Sequence, residues 1–215
     1  MAGFDLHTAR PLPASFFARP TAEVARDLLG KVLVSRIGGR VTGGRIVEVE
    51  AYLGADDPGS HAATKGITRR NATMYGPPGH AYVYFTYGNH HMLNLVTEPE
   101  GTAGAVLVRA IEPLIGHDVM VERRGRSGRA CTDGPGKVAA ALGVTLEHNG
   151  APLAPDKALC CYDAPPHDEE IRTSGRIGLS AGHDAELRFY LGGNQYVSKA
   201  RPGPRRRARR GSDER

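Results

Sequence analysis

The chain lacks tryptophan, has only three cysteines and contains no long apolar segment. The odd cysteine count, the adjacent pair Cys160 and Cys161, and the absence of any C-x-x-C pair indicate reduced thiols rather than a disulfide framework or a zinc ribbon. No run of about 18 apolar residues could form a transmembrane helix, and the first residues, MAGFDLHTARPLP, have no apolar signal-peptide core. We therefore expect a cytoplasmic protein, nucleoid-associated if bacterial, that is not secreted.

The positive charge is concentrated near one end of the chain. The net charge is +5, and residues 201–215 contain seven arginines but only Asp213 and Glu214 as acidic residues. This segment accounts for the whole excess, so acidic and basic residues balance over the other 200. We expect one domain over 14–200, a flexible lead over 1–13 and a disordered arginine-rich tail over 201–215.

The 28 glycines and 15 prolines argue against a helical bundle, because both residues interrupt helices. Hydrophobic patterns and turn residues predict helices over 22–29 and 136–142. Alternating patterns predict strands over 31–36, 45–53, 81–86, 91–97, 103–111, 177–179 and 187–191. The sequence therefore predicts an α+β fold: a single domain with a curved, mostly antiparallel sheet flanked by helices, and a protruding β-hairpin at 81–97.

Two carboxylates lie in an otherwise apolar predicted strand, IVEVEAYL. Because side chains alternate along a strand, Glu48, Glu50 and Tyr52 share the face opposite the core residues. A buried carboxylate needs a hydrogen bond or a charged partner. We interpret Glu48 as solvent-facing, and Glu50 as functional because Tyr52 and further polar residues lie close to it in the chain.

Aromatic residues collect in the predicted hairpin, YVYFTYGNHH. Tyr82 and Tyr84 share one face of their strand, and Tyr87 falls at the tip. A tip aromatic is either folded back onto the sheet or exposed as a wedge that fills the gap left by an extruded base. Stacking of about 1–3 kcal/mol is comparable to what extrusion costs.

Other polar groups carry weaker patterns. His61, His80, His90 and His91 have no metal-binding spacing, so we expect no metal. The segment TDGPGK lacks the first glycine and the Ser/Thr of a P-loop, so Lys137 marks either a plain helix start or a grip on one phosphate. Basic clusters are either phosphate contacts or solvated loop charge; they lie at Lys65, Arg69, Arg70, Arg123, Arg124, Arg126 and Arg129.

Several ordered motifs, spread over residues 16–190, resemble the 3-methyladenine (alkyladenine) DNA glycosylase family. They are EVEAYLG (48–54), His61, TRRNATM (68–74), PGHAYVYFTYG (78–88), Asn94 and VLVRAIEP (106–113). The resemblance implies that Glu50 is the general base and that Arg109 and the backbone carbonyl of Ile177 hold the water. It also implies a base pocket of Tyr52, His61, Tyr84 and Asn94, and Tyr87 as the residue that intercalates in DNA.

The family resemblance implies a base-excision-repair enzyme that flips alkylated or deaminated purines out of double-stranded DNA. It would hydrolyse their N-glycosidic bond without a cofactor, leaving an abasic site. The expected substrates are of the 3-methyladenine, hypoxanthine and ethenoadenine class. We expect a monomer, backbone contacts from Arg70 and Lys137, and salt-dependent affinity from the tail. The alternatives are a glycosylase-lyase, a non-catalytic binder of damaged DNA and a metal-dependent hydrolase.

Overall fold

The computed structural model of the protein describes residues 4–63, 66–86, 88–200 and 202. One antiparallel sheet of eight strands organises these residues in the order β3-β4-β5-β2-β1-β6, and β8 joins β2 to β7. The strands are β1 Val32–Ser35, β2 Thr42–Tyr52, β3 Ala81–Thr86, β4 His90–Val96, β5 Ala105–Ile115, β6 Leu159–Tyr162, β7 Ile171–Ser174 and β8 Arg188–Leu191. The predicted α+β class with a curved, mostly antiparallel sheet is confirmed.

Strand β2 lies at the centre of the sheet. It pairs with β5 along its length, with β1 over its first residues, and with β8 at residues 48–50. This strand was expected to begin at residue 45, but it begins at Thr42 and includes Gly43 and Gly44. A Cβ on Gly44 would lie 2.5 Å from the carbonyl oxygen of Glu112, so glycine allows the neighbouring strand to approach closely.

Four helices cover the sheet: α1 Ala14–Phe17, α2 Thr21–Leu28, α3 His117–Arg124 and α4 Pro135–Leu142. Helix α2 buries Val24, Ala25 and Leu28 against the sheet, and its first residue donates its N–H to the Glu98 carboxylate at 2.7 Å. Helix α4 packs on β4 and β5 and ends at Gly143, whose φ of 75° suits glycine. No helix among the described residues is long and apolar enough to cross a membrane.

Two expectations about element boundaries differ from the structure. Residues 177–179 form no strand. The chain leaves β7 at Ser174 and continues as a loop, in which Ile177 makes a single isolated β-bridge. Residues 10–12, expected in a flexible lead, lie along β6. Leu12 donates to the carbonyl of Cys161, and Arg10 accepts from Asp163, both at 2.8 Å. They thereby satisfy backbone groups on the edge strand.

Candidate active site

One row of side chains crosses five strands on the same face of the sheet. Tyr82 on β3 is paired with Asn94 on β4, which is paired with Leu107 on β5; Leu107 faces Glu50 on β2, which faces Arg188 on β8. Directly opposed residues of an antiparallel sheet share a face, so distant parts of the chain meet in this row. The row forms the floor of the candidate site.

The Glu50 carboxylate is fully buried, accepts two hydrogen bonds and is ion-paired with one arginine. Tyr52 donates its hydroxyl to Oε2 at 2.7 Å, and Arg109 places Nη1 3.1 Å from the same oxygen. The N–H of Ile177 donates to Oε1 at 2.7 Å. Burial and the Glu50 charge together raise the pKa of Tyr52 well above its usual value, so its phenol keeps the proton that it donates.

Glu48 is buried, and the expectation that it faces solvent was wrong. Its exposed fraction is 0%, and its Oε1 accepts from Arg109 Nε at 3.1 Å and Arg188 Nε at 2.8 Å. Ser198 donates both its N–H and its hydroxyl to this carboxylate. The face opposite the hydrophobic core is thus covered by β8 and the segment that follows it. This cover comes from residues about 140 positions later in the sequence, which the local pattern does not reveal.

Arg109 lies between the two carboxylates at an irregularity of the sheet. Val49 pairs with Val108 and Glu48 with Ala110, so Arg109 is the extra residue of a β-bulge in β5. Bulges re-aim side chains and are common next to active sites. Although burial lowers the pKa of Arg109, the charges of Glu50 and Glu48 outweigh burial and raise it above its ordinary value, so the guanidinium stays charged.

An open cavity lies above this floor. Its wall is aromatic: the rings of His61 and Tyr84 meet edge to face with centroids 4.7 Å apart, and the rings of Tyr82 and Tyr84 are 5.5 Å apart. Tyr52, Asn94, Arg109 and Ile177 also line the cavity, together with Gly59, Met74, Thr86, Met92, Leu107, Pro135, Gly178 and Leu179. The cavity therefore combines aromatic faces with polar groups at its base.

Two polar side chains of the cavity are held in fixed orientations. His61 Nδ1 lies 2.9 Å from the Tyr82 hydroxyl. The pKa of His61 is lowered mainly by burial and to a smaller extent by the positive charge of Arg70. Asn94 donates from Nδ2 to the carbonyls of Tyr82 and Met92 at 3.0 and 3.3 Å. A neutral imidazole and a fixed amide can read hydrogen-bonding groups on the edge of a planar ligand.

A buried ion pair holds two loops over the end of β2. Arg176 is fully buried and forms a two-pronged pair with Asp57, with its Nη1 2.6 Å from Oδ2. The same guanidinium donates to the carbonyl of Ala51 and covers one face of the Tyr52 ring at 4.8 Å. The pair thus fixes the loop that leads to His61 and the loop that presents the Ile177 N–H.

The remaining predicted site residues are more peripheral. The Arg70 guanidinium lies 5.3 Å from the centre of the Tyr84 ring, at the cavity wall. Lys137 lies at the start of α4 and is paired with Asp133 at 2.6 Å. Tyr87, Lys65 and the tail residues 201 and 203–215 lie outside the described residues. Within the described part of the chain, no group of three His, Cys, Asp or Glu residues could hold a metal ion.

Sequence similarity to known proteins identifies the family of this chain. A family model described as "Methylpurine-DNA glycosylase (MPG)" matches residues 15–195. The chain is 48% identical over 197 residues to a "Putative 3-methyladenine DNA glycosylase" of Chlorobaculum tepidum, covering 90% of this chain and 93% of that protein. A protein of the same name from Methanoculleus marisnigri is 47% identical over 192 residues, 87% of this chain and 98% of its own length. The chain belongs to the methylpurine-DNA glycosylase family.

Members of this family are DNA glycosylases, hydrolases that act on N-glycosidic bonds. In this glycosylase the structure brings together Glu50, Arg109, Tyr52, Ile177 and the cavity residues His61, Tyr84 and Asn94, all named from the sequence. It adds four residues that sequence reasoning missed: Glu48, Asp57, Arg176 and Arg188. Arg176 is the direct neighbour of Ile177, and Arg188 adjoins the apolar stretch of β8. The only local indication that these two arginines are buried is that each lies next to an apolar residue in the sequence.

Proposed function

We propose that this glycosylase is monofunctional and removes alkylated or deaminated purines, of the 3-methyladenine, hypoxanthine and ethenoadenine class, from double-stranded DNA. The damaged base would be flipped out of the duplex into the aromatic cavity, and the product would be an abasic site. The observation that carries the proposal is the fully buried Glu50 carboxylate, held by two hydrogen bonds and one ion pair from Tyr52, Ile177 and Arg109, which themselves line that cavity.

The chemistry assigned to Glu50 is that of a general base. As the C1′–N bond breaks, its electron pair leaves with the purine and positive charge develops on the sugar. A water adds to C1′ and gives its proton to Glu50. Glu50 Oε1 accepts the Ile177 N–H, and a carboxylate oxygen can accept a second hydrogen bond, from this water. Arg109 and the backbone carbonyl of Ile177 are the other groups that we assign to holding the water.

The cavity residues are suited to recognising the base. Electron-rich rings of Tyr84 and Tyr52 attract an alkylated purine that carries positive charge. A neutral lesion gains less from this attraction and depends more on hydrogen bonds at its edge. His61 fits this role because its lowered pKa keeps it neutral, while the raised pKa of Tyr82 keeps the phenol protonated and able to donate to Nδ1. His61 Nε2–H would then face the base, with Asn94 bordering it.

Contacts with the duplex are assigned to one tyrosine and to basic residues. Tyr87 would intercalate in the gap left by the flipped nucleotide, and Arg70 and Lys137 would contact the phosphate backbone. Lys137 would have to exchange its partner Asp133 for a phosphate. The arginine-rich residues 201–215 would add sequence-independent affinity that weakens with salt. One duplex needs one such site, so the proposal includes a monomeric enzyme.

The test uses a duplex with one hypoxanthine or one ethenoadenine, incubated with protein and EDTA and then cleaved at abasic sites with alkali. A duplex with 3-methyladenine, a charged and labile lesion, is included as well. We expect strand breaks with wild type, and a loss of about 10²- to 10⁴-fold in Glu50→Gln. Glu112→Gln is the matched control, since Glu112 is also paired with an arginine but lies outside the cavity.

Each alternative has its own outcome. Strand breaks that require a metal would contradict the hydrolysis proposed for Glu50 and favour a metal-dependent hydrolase. A covalent protein–DNA adduct trapped by borohydride would show a glycosylase-lyase instead. Tight binding to all three lesions without base release would leave a damage-binding protein. Removal of residues 201–215 should reduce the dependence of DNA binding on salt, and an unchanged slope would give the tail another role.

A further inference from the structure

We propose that Glu48 is a positioning residue of this enzyme: it fixes the guanidinium of Arg109 against Glu50 and affects hydrolysis only through Arg109. The inference rests on the proposed function, in which Glu50 is the base. Glu48 does not line the cavity, so it has no direct contact with a bound purine. Its influence has to pass through the residues that it touches.

The contacts of Glu48 are unusually complete for a buried carboxylate. Oε1 accepts from Arg109 Nε at 3.1 Å, from Arg188 Nε at 2.8 Å and from the Ser198 hydroxyl at 2.8 Å. Oε2 accepts the Ser198 N–H at 2.7 Å. Donors from three separate parts of the chain therefore define the position of this carboxylate, which makes it a rigid reference for its neighbours.

Arg109 depends on such a reference. Its Nε donates to Glu48 and its Nη1 is ion-paired with Glu50 at 3.1 Å, so one planar group is held between two different carboxylates. Two fixed points set the plane of a guanidinium, which is why arginine gives directional contacts where lysine does not. Because Arg109 is the bulged residue of β5, regular strand pairing alone does not set its direction.

Charge explains what the removal of Glu48 would change. Two carboxylates and two guanidiniums, those of Glu48, Glu50, Arg109 and Arg188, form a neutral set with side chains 0–7% exposed. Without the Glu48 charge, Glu50 would be the nearest anion for Arg109. An arginine that is free to turn pairs with both oxygens of a carboxylate. Such a pair would cover the Glu50 oxygen that has to accept the proton of water.

The primary test measures the single-turnover rate of base release, at saturating enzyme, for Glu48→Gln. We expect this rate to fall about 10-fold or more, as for coupled residues of one polar network. The dissociation constant for a duplex with an abasic-site analogue should stay within about 2-fold of wild type, because the side chain of Glu48 is bonded to Arg109, Arg188 and Ser198 and not to the aromatic wall of the cavity. The control Glu112→Gln removes an arginine-paired carboxylate from β5 without contact to Glu50, and its rate should equal that of wild type.

A double-mutant cycle separates positioning from a general loss of structure. In an Arg109→Gln background, Glu48→Gln should slow the reaction by less than 2-fold more, because the contact with Arg109 through which we propose that it acts is already gone. Slowing by the same factor in both backgrounds would overturn the inference, as would a wild-type rate in Glu48→Gln. Rates are normalised to the active fraction, so loss of folded protein does not count as slowing.

A second variant covers the case in which Glu48→Gln does not fold. The pair Glu48→Gln/Arg188→Gln removes one charge of each sign and keeps the buried set neutral. It should be as slow as we expect for Glu48→Gln, whereas a wild-type rate would overturn the inference. If the wild-type protein releases no base from any of the three lesions, the proposed function itself fails, and that result is distinct from a defect confined to the Glu48 variants.

Discussion

Two networks of arginines and carboxylates each join β2 to β5 and include one residue from later in the chain, and water reaches them to different extents. The pocket network consists of Glu48, Glu50, Arg109 and Arg188, whose side chains are 0–7% exposed. The outer network consists of Arg45, Glu112 and Glu169, whose side chains are 15–27% exposed. Distances are similar, with Arg45 Nη2 2.6 and 2.7 Å from its two carboxylates. Burial therefore distinguishes the two networks better than geometry does.

The comparison indicates why a charged group is placed under a cavity. A buried ion pair gains little net stability over apolar residues of the same size, because its charges lose their hydration. Breaking such a pair is nevertheless severe, since the remaining charge has no water. The outer network is partly solvated, so its loss is milder. The pocket network is better explained by the orientation that it imposes on Glu50 and Arg109 than by stability.

The largest effect should come from Arg109→Met, which leaves two buried carboxylates without their shared cation. We expect it to lower the free energy of unfolding by about 3–5 kcal/mol. For a chain of this size that corresponds to a melting temperature roughly 6–20 °C lower. Urea denaturation and calorimetry measure both quantities. A loss of less than about 1 kcal/mol would show that water enters the pocket network when it is disturbed.

A smaller effect is expected from Tyr52→Phe, which removes one of the two hydrogen bonds to Glu50 and keeps the ring against Arg176. A hydrogen bond to a charged group contributes about 1.5–3 kcal/mol, so the single-turnover rate should fall about 10-fold or more. The melting temperature should change little in comparison. An unchanged rate would mean that Arg109 and Ile177 are sufficient to orient the carboxylate.

The outer network provides the contrast to Arg109→Met. Arg45→Met should cost about 1 kcal/mol or less, because Glu112 and Glu169 stay partly hydrated when their partner is lost. Base release should proceed at the wild-type rate, since none of the three residues lines the cavity. A cost equal to that of Arg109→Met, measured in the same urea titration, would remove the distinction between the networks.

The smallest effect concerns His61 and pH. Burial and the charge of Arg70 lower its pKa in the folded protein, so below about pH 6.5 the unfolded chain binds a proton that the folded chain does not. The free energy of unfolding therefore has its full His61 contribution above about pH 6.5. As the pH falls further, this contribution declines until the pH reaches the lowered pKa of His61 in the folded protein. Between about pH 7.5 and 5.5, wild type should lose more unfolding free energy than His61→Gln, by at most about 1.4 kcal/mol per pH unit. Equal losses would contradict the shift.

Most strands could be predicted from the sequence because the alternation of apolar and polar residues is a local pattern. The residues that meet in the site could be predicted because they lie in several ordered motifs. The hairpin strand 81–86 and the strand with Glu50 are read from alternation. The burial of Glu48 could not be predicted, since its partners Arg188 and Ser198 are 140 and 150 positions away. The pair of Asp57 and Arg176 was missed because the two residues are 119 positions apart. In addition, Asp57 lies in a segment, ADDPGS, with the composition of an exposed turn.

The contact between Ser198 and Glu48 has a consequence for biosynthesis. β2 is made early, but its carboxylate receives two of its four hydrogen bonds from a residue 150 positions later. Domains begin to fold while the ribosome is still extending them, and contacts of such long range form late. A nascent chain therefore has its aromatic wall before its buried charges are matched. We therefore expect the buried charges beneath the cavity to be matched among the last steps of folding.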